Sequence, residues 1–256
     1  MNGYATVTEL MPHAIRSGRL LAGLALALSA GCVSAPAPTP TPTPVVSEAV
    51  TFDEAGLIDI RTLVPDLSQQ IRYAGADNFV GIPVEGYGSA RCYLSEPAAQ
   101  ALQRVEQSVR KQGFRLQVFD CYRPTRAVAH FVRWANDLQD QRGKSSHYPN
   151  LDKSALLGEY IAPVSGHSRG ATLDLTLLDC RAADGQCAAL DMGTEFDFFD
   201  SKANTDSPLV TPQQRENRQH LLRAMAREGF KNYPMEWWHY TLASHHSQTI
   251  YDIPIQ

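Results

Sequence analysis

The chain has 256 residues, 43% hydrophobic and 20% charged, with a formal net charge of −4. That length holds one large domain, or a domain with appendages, and the composition is that of a globular protein. With no basic excess to neutralise phosphates, the charge argues against nucleic acid as a partner.

Ten residues precede Met11, a second candidate start. His13, Arg16 and Arg19 come next, then an apolar run over residues 20–30, then Gly31-Cys32. A basic flank, a short apolar core and small residues before the break predict a secretory signal over residues 1–31. The apolar run is about half of the roughly 20 residues that a membrane-spanning helix needs. Cys32 follows Ala30-Gly31 as in the lipobox of bacterial lipoproteins, with the leucine, Leu28, four positions before the cysteine instead of the usual three. Lipidation of Cys32 is therefore expected, and with it a membrane anchor. Within residues 32–50 lies Ala35-Pro36-Ala37-Pro38-Thr39-Pro40-Thr41-Pro42-Thr43-Pro44. Alternating prolines favour extended polyproline II, at about 3.1 Å per residue, so this segment is expected to be a semi-rigid stalk.

The folded domain is expected over residues 51–256. Residues 57–60 read as a strand, residues 70–73 as an extended piece and residues 80–90 as a loop. A first helix is predicted with Ser95 as its cap and Pro97 in its first turn, ending before Gly113. Residues 116–119 read as a strand leading to Asp120-Cys121-Tyr122-Arg123-Pro124. A second helix follows from Thr125, with Val128, Phe131, Trp134, Ala135 and Leu138 at helical spacing, and then a loop over residues 143–158.

The central stretch is Ser165-Gly166-His167-Ser168-Arg169-Gly170-Ala171-Thr172-Leu173-Asp174-Leu175-Thr176-Leu177. Its glycines permit a tight turn, and its second half alternates apolar and polar residues with the period of a half-buried strand. Leu173, Leu175 and Leu177 share one face, which puts Asp174 on the open face with Thr172 and Thr176. Asp184-Gly185, between Cys180 and Cys187, predicts a hairpin-like excursion, and residues 191–206 read as a loop carrying Phe196, Phe198 and Phe199. Thr211-Pro212-Gln213-Gln214 has the form of a capping box, opening a third helix that runs to Glu228 and stops at Gly229. Residues 236–242 read as the last core strand and residues from 244 as a tail. The expected class is α+β, a mainly antiparallel central sheet with helices packed on it and a metal site on its open face.

With Cys32 assigned to lipid, Cys92, Cys121, Cys180 and Cys187 remain, and an even number in an exported domain points to disulfides. Three pairings exist. Cys180–Cys187 is the natural local bridge across a turn, which leaves Cys92–Cys121, a closure worth about 3–4 kcal/mol in the chain-entropy account. A thiolate metal site is disfavoured because no C-x-x-C pair is present.

A hydrolytic zinc site takes three protein ligands and keeps a fourth position for water. His167, Asp174 and His239 are the candidate ligands for one zinc ion per chain, and Glu236 in Glu236-Trp237-Trp238-His239-Tyr240 is the candidate base. In an extended segment the separation from Glu236 to His239 is roughly 10 Å of backbone. The plainer readings are a solvated Asp174 and a Glu236 that pairs with an arginine. Arg123, fixed before Pro124, carries forked donors suited to a substrate carboxylate or a developing oxyanion, against a structural pairing with Asp120 or Glu236.

Residues 165–176, 120–124 and 236–240 together resemble the D-alanyl-D-alanine dipeptidases of the vancomycin-resistance type, zinc peptidases related to the D,D-carboxypeptidases and to the hedgehog signalling domain. Further matches are Tyr73-Ala74-Gly75-Ala76-Asp77-Asn78-Phe79, Tyr160-Ile161-Ala162 and Asp191-Met192-Gly193-Thr194-Glu195-Phe196-Asp197, so the resemblance covers about residues 55–245. It implies zinc on His167, Asp174 and His239, Glu236 as base and then acid, and Arg123 at the tetrahedral intermediate. It also implies that Tyr73, Ser165 and Asp197 line a small cavity that grips both ends of a dipeptide. Gly166 departs from the pattern, standing where some members have a second serine. The expected protein is a lipid-anchored zinc dipeptidase of the bacterial periplasm, acting on D-Ala-D-Ala or peptidoglycan-derived D,D-peptides. The alternatives are a murein D,D-carboxypeptidase or endopeptidase, and a non-catalytic, zinc-stabilised peptidoglycan-binding module.

Overall fold

The computed structural model describes residues 44–182 and 185–256, so the expected signal, most of the stalk, the Cys32 anchor and Asp184 lie outside the described residues. The first elements are the strands β1 (Val45–Val46), β2 (Leu57–Asp59) and β3 (Ser68–Gln69). The extended piece expected over residues 70–73 is shorter than expected: it ends at Ile71, where a 3-10 turn, Arg72–Ala74, begins. Ending the strand early takes Tyr73 off the sheet edge and lets its ring pack against Phe79 and Phe131.

Strand β4 (Tyr93–Ser95) pairs antiparallel with β2 and runs into α1 (Glu96–Arg110). Ser95 holds the N-cap position and Pro97 the first turn, as the sequence predicts, although the Ser95 hydroxyl makes no capping bond. Ala98, Leu102, Val105 and Val109 form the buried stripe, at the spacing of one helical face. Beside it the buried Glu106 carboxylate pairs with Arg110 at 2.7 Å and accepts from the Leu116 N–H at 2.8 Å, which ties α1 to β5 (Phe114–Asp120). Helix α2 (Thr125–Asn136) buries Val128, Phe131, Trp134 and Ala135, but Leu138 lies beyond its end and is 51% exposed. There the Lys153 ammonium takes over, donating to the carbonyls of Asp137 and Asp140 at 2.8 and 2.7 Å. The loop expected over residues 143–158 contains a short helix, α3 (Lys144–His147), and a 3-10 turn, Lys153–Leu156.

The remaining elements are β6 (Thr172–Asp179), β7 (Ala188–Ala189), α4 (Pro212–Arg227), β8 (Phe230–Asn232), β9 (His239–Leu242) and β10 (Thr249–Ile250). The main sheet has six strands in the order β3-β5-β6-β9-β8, with β7 paired to the far end of β6. It is mixed, which corrects the expectation of a mainly antiparallel sheet: β3 runs parallel to β5, while β5, β6, β9 and β8 alternate in direction. Residues 70–113, with α1 among them, make the long crossover that a parallel pair requires, and residue alternation carries no sign of it. The class is α+β.

Strand β6 is not half-buried. Leu173, Leu175 and Leu177 fill one face as predicted, but Thr172, Asp174 and Thr176 on the other are buried as well. Helix α4 opens on the predicted box: the Thr211 hydroxyl accepts from the Gln214 N–H at 3.2 Å, and the Gln214 side chain accepts from the Thr211 N–H at 2.9 Å. It closes at Gly229, whose φ of +87° is the left-handed geometry glycine tolerates. The last core strand begins only at His239, because residues 233–236 form a turn in which the Glu236 N–H donates to the Tyr233 carbonyl at 3.0 Å.

Residues from 244 are not a tail. Strand β10 pairs in parallel with β1, and Ile250, Ile253 and Ile255 are buried. The Ile255 N–H donates to the Gly86 carbonyl at 2.8 Å, the Ile255 carbonyl accepts from the Gly88 N–H at 2.7 Å, and the Ile253 N–H donates to the Tyr122 hydroxyl at 2.8 Å. Disulfides join Cys92 to Cys121 and Cys180 to Cys187.

Candidate metal centre and substrate cavity

Three elements bring the predicted ligands together. His167 sits in a 3-10 turn, Gly166–Arg169, capped by the Ser165 hydroxyl, which accepts from the His167 N–H at 3.3 Å. The turn exits through Gly170 at φ +74°, where a Cβ would meet the Leu57 side chain, and so feeds β6 with Asp174 two turns of pleat later. Strand β9 then pairs with β6 so that Asp174 and His239 face each other across the ladder. His167 Nε2 and His239 Nδ1 lie 3.3 Å apart, and Asp174 reaches both, Oδ2 to His167 at 3.3 Å and Oδ1 to His239 at 3.0 Å.

These atoms fit a metal. The His167 Nδ1–H donates to the Cys121 carbonyl at 2.8 Å, which fixes the tautomer and leaves the Nε2 lone pair aimed at the site. Asp174 Oδ1 is buried and accepts no hydrogen bond despite the nearby His239 nitrogen. A buried, unsatisfied carboxylate oxygen facing two imidazole nitrogens calls for a cation, and two histidines with one carboxylate is the donor set of a catalytic zinc site. Among the described residues this trio is the one His/Cys/Asp/Glu group whose donor atoms all fall within 4.8 Å of one another. Burial pushes the Asp174 carboxyl up, but the two imidazoles outweigh it and hold the group well below the usual carboxylate range.

Glu236 reaches the same place by a route the sequence did not reveal. The turn before β9 folds it back, putting Oε2 at 3.4 Å from His239 Nδ1, where an extended segment would carry the two residues apart. Burial, aided by the charge on Asp174 and opposed by His239 and Arg123, pushes its carboxyl up to about 7.

Arg123 enters from the segment after β5. It pairs with Asp120 at 2.8 Å, stands 3.7 Å from Asp174 and lies over the rings of Tyr73 and Phe131 at 5.1 and 5.0 Å. The expected structural pairing with Asp120 is therefore present, and it aims the guanidinium at the metal centre. Asp120 was not read as a site residue. It is wholly buried, accepts from the Tyr87 hydroxyl at 2.7 Å and lies 3.5 Å from His167 Nδ1, so it braces both Arg123 and a ligand.

The trio, Glu236 and Arg123 line a cavity of about 330 Å³, and the predicted Tyr73, Ser165 and Asp197 line it too. The Tyr73 hydroxyl donates to Asp197 Oδ2 at 2.9 Å. The Asp197 backbone is held by His147, whose Nδ1–H donates to the Asp197 carbonyl at 3.0 Å and whose own carbonyl accepts from the Phe199 N–H at 2.7 Å. At Gly166 a Cβ would stand 3.0 Å from the Thr172 hydroxyl, so a side chain there would require Thr172 to give by a few tenths of an ångström. Tyr160, quoted from the sequence only as part of the resemblance, also lines the cavity, as does Tyr233, which nothing in the sequence distinguishes from a core aromatic.

The D-ala-D-ala dipeptidase family of peptidases matches residues 53–255. Curated relatives named D-alanyl-D-alanine dipeptidase include one from Streptomyces coelicolor, 41% identical over 195 residues, covering 75% of this chain and 95% of that protein. Another, from Enterococcus faecium, is 34% identical over 205 residues, covering 79% of this chain and 100% of that protein. A third, from Escherichia coli, is 32% identical over 193 residues, covering 74% and 86%.

Proposed function

The chain belongs to the D-ala-D-ala dipeptidase family, and on that premise we propose that it is a zinc metallopeptidase hydrolysing D-alanyl-D-alanine to free D-alanine. The observation that carries this reading is the meeting of His167, Asp174 and His239 in one cavity with a buried Glu236 at 3.4 Å from His239. When bound to these three side chains, zinc supplies Lewis-acid polarisation and lowers the pKa of water toward about 7.

The chain's own groups do the rest. Glu236 takes the proton of the attacking water and passes it to the leaving amine, a shuttle favoured by a carboxyl poised near neutrality. Arg123, kept charged and aimed by Asp120, faces the oxygen on which negative charge develops. Asp197 and the Tyr73 hydroxyl bound to it take the substrate ammonium, and Ser165 with neighbouring backbone N–H groups takes the carboxylate. A cavity that pairs both termini selects free dipeptides, because a capped end leaves a buried charge unpaired. We place the zinc where β6 and β9 meet, on the sheet face that carries Asp174, which is buried and not open as the sequence suggested. We further read Cys32 as a lipid anchor, the part of residues 32–50 that precedes β1 as its stalk, since Val45 and Val46 pair with β10, and the bacterial periplasm as the location.

Zinc-loaded protein should release free D-alanine from D-Ala-D-Ala, and Glu236→Ala should lower kcat by at least about 100-fold, the usual contribution of a general base. Unchanged turnover in Glu236→Ala would overturn the mechanism; faster cleavage of N-acetylated than of free dipeptide would overturn the substrate assignment.

A further inference from the structure

We infer that the Cys92–Cys121 disulfide is a positioning element of the metal centre, which holds the Cys121 carbonyl against His167 and Arg123 against the cavity. The inference rests on the zinc-peptidase reading above. It starts from the end of β5. The β5–β6 ladder loses its register between Val118 and Asp120, and the next residues, Cys121 to Pro124, belong to no strand or helix. Yet this unsupported segment delivers three parts of the site. Asp120 holds Arg123 at 2.8 Å, the Cys121 carbonyl accepts from His167 Nδ1 at 2.8 Å, and the Arg123 N–H donates to the His167 carbonyl at 3.3 Å.

The disulfide replaces the missing ladder. Both cysteines are fully buried, and Cys92 is itself fixed on either side: its N–H donates to the Gln69 side chain at 3.1 Å and its carbonyl accepts from the Ile60 N–H at 3.0 Å. The Tyr122 N–H donates to the Tyr93 carbonyl at 2.9 Å, one residue beyond the bridge on both segments. The segment is thus clamped to Cys92 by a covalent bond and to Tyr93, the first residue of β4, by a hydrogen bond, and through Cys121 the clamp ends on a metal ligand's outer nitrogen. A ligand histidine whose second nitrogen loses its partner turns in its socket, and outer contacts of this kind are worth about 10–100-fold in metal affinity. Cys180–Cys187 offers the internal control, because it closes the excursion between β6 and β7, and none of the cavity's residues belongs to that excursion.

The test compares three full-length proteins: the parent, C92A/C121A and C180A/C187A. Zinc affinity is read on metal-free protein by competition with a chromophoric chelator, and kcat and KM on zinc-saturated protein. The expected result is at least about tenfold weaker zinc binding and a lower kcat with little change in KM for C92A/C121A, with C180A/C187A matching the parent. A folded C92A/C121A with parental zinc affinity and kcat overturns the inference, whatever its melting temperature. If the alanine pair does not fold, the parent is reduced by a water-soluble phosphine, which becomes phosphine oxide with an oxygen from water as the disulfide becomes two thiols. Zinc affinity falling in step with the thiols freed at Cys92 and Cys121 supports the role, and affinity kept or raised once both are free overturns it. A parent that binds no zinc and cleaves no dipeptide defeats the zinc-peptidase reading instead, so the two failures are distinguishable.

Discussion

Among the described residues Asp197 alone, other than glycines, has a positive φ, +57°. Such a backbone costs about 1–2 kcal/mol for a residue with a Cβ, though aspartate bears it better than most. Here it is held by His147 and turns the carboxylate toward the Tyr73 hydroxyl and the cavity. Burial above all, then the charge of Asp174, raises the Asp197 pKa well above the usual value. A carboxyl whose folded pKa exceeds its unfolded value of about 3.9 opposes folding increasingly as pH rises past that value and has no such effect below it. Metal-free Asp197→Asn should therefore melt above the metal-free parent at about pH 7, with the gain vanishing below about pH 4, while in the zinc-loaded variant KM for D-Ala-D-Ala rises. Equal or lower melting at neutral pH would count against this account of the site. The three proposed ligands, Glu236 and Arg123 were legible as residue types at telling positions. Asp120 was not, because an aspartate before a cysteine carries no periodic or motif signal, and only the fold reveals that Tyr87 and His167 close around it.

At the level of elements, helices read well and strand ends poorly. The Thr211 box and the Gly229 stop are local chemistry and appear in the structure as written in the chain. The turn before β9 is not local in that sense: it is paid for by Asn232, whose side-chain amide donates to the carbonyls of Glu236 and His239 at 2.9 and 3.0 Å. Nothing in Glu236-Trp237-Trp238-His239-Tyr240 announces it. The parallel pairing of β3 with β5 and of β1 with β10 was equally hidden, since both join segments far apart in sequence. A chain lacking residues 249–256 should lose β10 and the bond from Ile253 to the Tyr122 hydroxyl, next to Arg123. We expect its kcat to fall by at least about tenfold, in line with loss of a ligand's outer support, while circular dichroism still reports the main sheet. Parental kcat in that truncation would show that the C-terminal residues do not support the Arg123 segment.

For the molecule as a whole, one family matches residues 53–255, and ahead of them stand the leader and stalk proposed above. Two disulfides in that body suit an oxidising compartment, in keeping with the proposed periplasmic location. Expressed with its full leader in a bacterium, the protein should fractionate with membranes, and Cys32→Ala should release it to the soluble fraction. A parent found wholly in the soluble fraction would remove the anchor. The contacts of Ile253 and Ile255 have a further bearing, on the order in which the molecule is made. Synthesis is vectorial, and domains tend to fold as they emerge. Here the brace behind Tyr122 lies downstream of both histidines, so in the exported protein proposed above the site would be finished only after residue 255 has crossed the membrane.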